Sequence, residues 1–176
     1  MKNSDVLNMG RLRLLFGVGF IIILFSLNAT AQNSKPNFSG SWTLNEAKSK
    51  FGDSQFRMAA VTMIVKQEGN NLTDDRTQPG FDGGEMKTTE KLTLDGKVCE
   101  NTGVMDSKRK STATWSADKK SLLIATTLVF DMGGQATEMK SSETWKFGEN
   151  NATLLIETSF TAPDGEMKTS LVYDKK

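Results

Sequence analysis

The chain reads as an all-β protein, an up-and-down antiparallel meander of about ten strands closed into a barrel. Three observations carry this. First, three stretches are near copies: Glu85-Met86-Lys87-Thr88-Thr89, Glu138-Met139-Lys140-Ser141-Ser142 and Glu166-Met167-Lys168-Thr169-Ser170. Each follows a turn-rich segment (Phe81-Asp82-Gly83-Gly84, Met132-Gly133-Gly134 and Pro163-Asp164-Gly165) and opens a run with two-residue alternation, as the return strand of a hairpin does. Second, nearly every connection is hairpin-short, which excludes the crossovers of a parallel sheet. Third, no segment keeps a helical period. Many short strands hide their edges best by closing on themselves.

The elements follow in order. Gly40 to Leu44 is the opening strand, and Asn45 can N-cap a short helix over Glu46 to Lys50. Met58 to Glu68 has the apolar centre Val61-Thr62-Met63-Ile64-Val65 and turns at Gly69-Asn70-Asn71 into Leu72 to Gln78. Glu85 to Leu94 ends in Asp95-Gly96, a strong hairpin signal, and Val98 to Thr102 returns. Lys108 to Ser116 turns at Asp118-Lys119-Lys120 into Leu122 to Phe130, the most apolar strand. Ala136 to Phe147 answers it, Glu149-Asn150-Asn151 turns the chain into Ala152 to Thr161, and Glu166 to Asp174 closes it.

Alternation assigns the faces. Inward sets are Met86, Thr88, Glu90 and Leu92; Met139, Ser141, Glu143 and Trp145; and Met167, Thr169, Leu171 and Tyr173. Arg109, Ser111, Ala113 and Trp115 join them, with Ile124, Thr126, Leu128 and Phe130, and Leu154, Ile156, Thr158 and Phe160. Lys87, Lys91, Lys140, Lys146 and Lys168 take the solvated face. The interior is thus expected to hold apolar ends and a middle layer of hydroxyls: Thr88, Ser111, Thr126, Ser141, Thr158 and Thr169.

Residues 1–31 read as a signal peptide. Lys2, Arg11 and Arg13 precede the apolar run Leu14 to Leu27, and Ala29-Thr30-Ala31 is a small-x-small cleavage site. The run is about 14 residues, short of the roughly 20 of a membrane span, although a signal anchor is the alternative. No cysteine follows to take a lipid anchor. Cleavage leaves 145 of the 176 residues: a disordered lead-in over 32–37 and one domain over 38–176, secreted or periplasmic, without a membrane span and expected to be a monomer. Loss of Lys2, Arg11, Arg13 and Asp5 takes the formal charge from +1 to −1, which leaves no electrostatic footprint for nucleic acid.

With no histidine and one cysteine, Ser-His triads and the usual zinc ligand sets are excluded, and no intrachain disulfide can form. Cys99 reads as a small apolar strand residue. Asp74-Asp75 and Asp82 match no calcium-loop spacing and read as turn and surface acids. Glu90 and Glu143 are the inward carboxylate pair a hydrolase would need, but nothing in the spacing fixes their separation. No cofactor, metal or catalytic residue is assigned, and binding is expected rather than catalysis.

The mature N-terminus, Asn37-Phe38-Ser39-Gly40-Ser41-Trp42-Thr43-Leu44, carries a Gly-x-Trp element just inside the first strand with Phe two residues before the Gly. It resembles the opening of the lipocalin and fatty-acid-binding-protein superfamily. About ten meandering strands and a helical segment after the first look more like the fatty-acid-binding branch. Phe38 to Gly52 also resembles small secreted bacterial lipocalin-like proteins. The resemblance implies that Trp42 closes one barrel end and that an Arg packs on it, with Arg76 and Arg109 the candidates by facing. It implies a small apolar or amphipathic ligand inside the barrel.

The expected ligand-binding residues are Arg109, Glu143, Ser141, Trp115, Trp145, Phe130, Leu128 and Tyr173. Inward charges leave three readings open. Arg109 or Arg76 meets a ligand carboxylate in a wet cavity; Arg–Glu pairs fill the barrel; or the charges sit in water at its mouth. Under the second, the protein is an interaction module whose loops engage a protein or cell-surface polymer.

Overall fold

One antiparallel sheet of ten strands wraps into a nearly closed barrel in the order β4-β3-β2-β1-β10-β9-β8-β7-β6-β5. The computed structural model describes residues 34–52, 59–80, 83–131, 136–162 and 165–176. The strands are β1 (Gly40–Leu44), β2 (Thr62–Glu68), β3 (Asn71–Pro79), β4 (Glu85–Thr93) and β5 (Cys99–Thr102). Then come β6 (Lys108–Trp115), β7 (Leu122–Asp131), β8 (Ala136–Phe147), β9 (Thr153–Ala162) and β10 (Gly165–Lys175). This is the expected meander. The predicted signal segment and Asp82 lie outside the described residues.

The last strand returns to the first: β1 pairs with β10 (Leu44 opposite Tyr173) and with β2 (Trp42 opposite Met63). The expected short helix is a single 3₁₀ turn, Glu46–Lys48, with the Asn45 side chain accepting from the Lys48 N–H at 3.1 Å. The predicted start of β2 at Met58 is outside the described residues. Lys35 to Asn37, expected in the disordered lead-in, lie against the barrel. Gln67 donates to the Pro36 carbonyl at 3.0 Å, and the Lys35 ammonium sits 5.4 Å from the Trp115 ring.

The Asp95-Gly96 turn departs from expectation. It links β4 to β5 without a backbone ladder between them, because the Gly96 N–H donates instead to the Ala113 carbonyl of β6 at 2.9 Å. Gly96 takes φ +81°, as a left-handed turn position requires. Side chains close the seam. Asn101 accepts from the Lys91 N–H at 2.9 Å and donates to its carbonyl at 3.0 Å, and Thr93 N–H donates to Cys99 Sγ at 3.2 Å. Cys99 is thus half-buried in the strand edge, as a small residue there should be.

One barrel end is shut by aromatics. Trp42 and Phe38 are fully buried. Phe38 stacks on Trp115 (centroids 6.1 Å apart, planes 9° apart) and meets Trp145 edge-on at 5.9 Å. Phe147 completes the plug, 4.9 Å from Phe38 and 5.9 Å from Trp42. Trp42 donates its indole N–H to the Phe38 carbonyl at 3.0 Å, so its polar edge is satisfied in the dry core. Gly40 explains the Gly-x-Trp spacing: at φ +152°, an added Cβ would lie 3.6 Å from the Trp42 ring and 3.0 Å from Lys175 Cε. The cation over Trp42 is Lys175, at 5.4 Å, and neither Arg76 nor Arg109.

Candidate functional site

The other half of the interior holds a cavity of about 450 Å³. Alternation brings Leu128, Met139, Ile156, Phe160, Met167 and Leu171 to its wall from β7, β8, β9 and β10. Phe51, Ala59, Ala60 and Val104 come to it from the connections after β1 and β5. The polar part of the wall is Arg76, Gln78, Arg109, Ser141, Glu143, Thr158, Thr169 and Tyr173, with Lys140 also reaching it.

Of the eight residues expected to bind ligand, five line this cavity: Arg109, Glu143, Ser141, Leu128 and Tyr173. Three do not. Trp115 and Trp145 belong to the aromatic plug, because they occupy the pairs next to Leu122, at the opposite strand ends from the cavity. Phe130 overshoots in the other direction. It pairs with Thr137, one inward position beyond the Leu128–Met139 pair that borders the cavity. Trp115 and Trp145 face inward as expected, but they lie at a different height along the barrel from the cavity.

Two charged clusters lie beneath the cavity. In the first, Arg76 reaches across the barrel from β3 and donates to both Glu143 oxygens, Nη1 at 2.9 Å and Nη2 at 2.8 Å. Its Nε donates to Asp74 Oδ2 at 2.5 Å. The Trp145 N–H adds a fourth hydrogen bond, to Glu143 at 2.8 Å, and the guanidinium lies 5.6 Å from the Trp145 ring. In the second, Arg109 of β6 forks onto Glu90 of β4, with Nε and Nη2 both at 2.8 Å. Ser111 donates to the same carboxylate and shares a 2.9 Å hydrogen bond with Thr126. This second cluster ties the β4–β5 seam from within.

The hydroxyl layer is therefore split. Ser111 and Thr126 are consumed by the Glu90 cluster, whereas Ser141, Thr158 and Thr169 face the cavity.

Asp74 corrects the sequence expectation most sharply. It is 1% exposed and points inward, whereas the half-buried Asp75 alternates to the other face. The signal was present: Leu72, Asp74, Arg76 and Gln78 share one parity, so an inward Arg76 entails an inward Asp74. Burial lifts its carboxyl to about 6, the Arg76 charge and hydrogen bond offsetting only part of the desolvation, with Glu143 and Glu90 adding to the rise. Asp74 Oδ1 has no hydrogen-bond partner among the described residues. Glu143 behaves oppositely. Burial would raise it, but the Arg76 charge and forked hydrogen bonds, with Arg109 and Trp145, overcome this and hold it at about 2. Burial acts to lower Arg76, yet its flanking carboxylates keep it protonated far above any working pH. Burial pushes the Tyr173 phenol up, so it stays a neutral donor and acceptor.

Both arginines are thus already paired inside the barrel. Each also reaches the cavity wall.

No protein-family model and no curated protein matches the chain. Among solved structures, the barrel is similar to zebrafish ileal bile acid-binding protein complexed with cholic acid. The TM-score is 0.52 at 15% identity, over 79% of this chain and 98% of that one. At this identity the likeness shows the fold alone, a nearly closed ten-stranded antiparallel barrel. No helix among the described residues is long and apolar enough to cross a membrane.

Proposed function

We propose that this chain is an exported binding protein that carries one small apolar or amphipathic molecule inside its barrel. The cavity carries the proposal. At about 450 Å³ it lies within the range of roughly 300–1,000 Å³ typical of small-molecule sites, and its wall is mostly Leu, Ile, Phe and Met with a few polar groups. Met139 and Met167 give the wall an adaptable lining. The zebrafish neighbour, a binding protein holding cholic acid, supports the same use of the fold. Under this reading residues 1–31 direct export and are removed, and N-terminal peptide mapping of secreted protein by mass spectrometry should begin at Gln32 or within a few residues. An intact N-terminus retained on membranes would instead identify a signal anchor.

Titration with Nile red, an uncharged apolar fluorophore, tests the carrier reading. Saturable binding at one molecule per barrel is expected. Fluorescence that rises without saturation would defeat the carrier reading and favour a module that engages partners through its loops.

A further inference from the structure

Each guanidinium of the interior is already forked onto a carboxylate, and the hydroxyl and amide side chains on the cavity wall are uncharged. All three nitrogens of the Arg76 guanidinium are occupied, Nε by Asp74 and the other two by Glu143. Arg109 gives Nε and Nη2 to Glu90. By contrast the hydroxyls of Ser141, Thr158 and Thr169 and the Gln78 amide line the cavity without a side-chain hydrogen bond to any described residue. Tyr173 adds a neutral phenol to the same wall.

We propose that the chamber selects an uncharged amphipath, with a hydroxyl or amide head on an apolar body, and discriminates against carboxylates. The proposal rests on the carrier reading above and specifies its ligand. Two physical arguments support it. A carboxylate head could take either guanidinium fully only by displacing a carboxylate that is already forked onto it, leaving that buried acid unpaired. It would also enter an interior where two guanidiniums already face three carboxylates, Asp74, Glu90 and Glu143. Asp74, with its proton held to about pH 6, adds a third negative charge to that interior above this pH, so the interior carries more carboxylates than guanidiniums at pH 8. An ammonium head gains little, because Glu90 and Glu143 are capped by arginines and Asp74 does not reach the cavity wall. A hydroxyl or amide, in contrast, can both donate to and accept from Ser141, Thr158, Thr169 and Gln78, and brings no charge to desolvate.

Displacement of bound Nile red at pH 8 by four twelve-carbon competitors tests this: dodecanol, dodecanamide, dodecanoate and dodecylamine. The alcohol and the amide should displace the dye at concentrations at least about tenfold lower than the two ions. Dodecanoate should gain on them as pH falls and it takes a proton. Dodecanoate equal to or tighter than dodecanol at pH 8 would overturn the proposal, and so would dodecylamine binding tightest. Failure of Nile red itself to bind would instead remove the carrier reading beneath it. Glu90→Gln frees Arg109 and removes one negative charge, so it should narrow the gap between dodecanoate and dodecanol by about tenfold. Because Glu90 also ties the seam, Ser141→Ala with Thr158→Ala provides an independent arm. That double variant should weaken dodecanol several-fold and leave dodecanoate unchanged, and equal weakening of both would contradict the assignment.

Discussion

The two ends of this barrel are built from the same alternating strands, yet they solve different problems. At the plugged end Phe38, Trp42, Trp145 and Phe147 meet ring to ring, and the Trp42 and Trp145 N–H groups both have partners. At the other end the wall stops short of the axis and leaves about 450 Å³. Between them sits a layer of paired charges, whose members are mostly shielded but not sealed: Arg76 and Arg109 remain 19% and 20% exposed. Apolar area at the plug holds the barrel together. The charged layer spends some of that stability on a polar floor for a cavity, since buried ion pairs rarely outperform apolar packing.

The largest expected effect falls on the plug. Trp42→Ala removes a fully buried indole and should lower stability by about 3–5 kcal/mol, read from urea denaturation midpoints. A midpoint unchanged from wild type would mean that the plug is not the scaffold.

Arg76→Ala should come next, at roughly 3–5 kcal/mol near neutral pH, because it strands Asp74 and Glu143 without their cation. Unlike the loss at Trp42, this one should shrink in acid, where the two carboxylates take protons. Equal losses at pH 4 and pH 7 would break the distinction between the two regions.

The charged layer also predicts the wild-type pH profile. Asp74 keeps its proton to about pH 6 when folded but gives it up near 3.8 when unfolded, so its contribution to stability falls as pH rises from about 4 to 6. Glu143, held at about 2 when folded, contributes stability above its ordinary 4.5 that is lost as pH drops toward 2. The midpoint should therefore peak in the mildly acidic range, with each limb on the order of 1–3 kcal/mol. Asp74→Asn should flatten the upper limb and leave the lower one.

Much of the fold was legible from residues alone, and the reason is local. Two-residue alternation, Gly- and Asn-rich turns and the Gly-x-Trp opening are short-range signals, and β1, β6 and β8 lie within a residue of their expected bounds. The site was legible as a face and not as a height. Alternation put Trp115, Trp145 and Phe130 inside, but only the register of β6, β7 and β8 shows that two of them sink into the plug and one lies beyond the cavity. The Arg109–Glu90 pair joins strands that meet only when the barrel closes, so no local pattern announces it. Asp74 was hidden by composition, since Asp-Asp reads as a turn until the parity of Leu72 and Arg76 is followed through. The missing β4–β5 ladder was hidden in the same way, because Asp95-Gly96 fixes a turn but not whether its two arms pair.

The smallest effects check the faces themselves. Lys140→Glu should change stability by about 0.5 kcal/mol or less, because Lys140 and its partner Glu138 are both exposed. Its neighbour Met139 lines the cavity, so Met139→Lys should abolish Nile red binding. The reverse order would turn the barrel inside out.

Native mass spectrometry of the protein purified from its own host tests most directly whether the open half is a chamber for an uncharged molecule. The expected result is the cleaved chain plus one added mass that organic solvent extracts as a neutral, amphipathic compound. A retained carboxylate, or the bare chain alone, would contradict it.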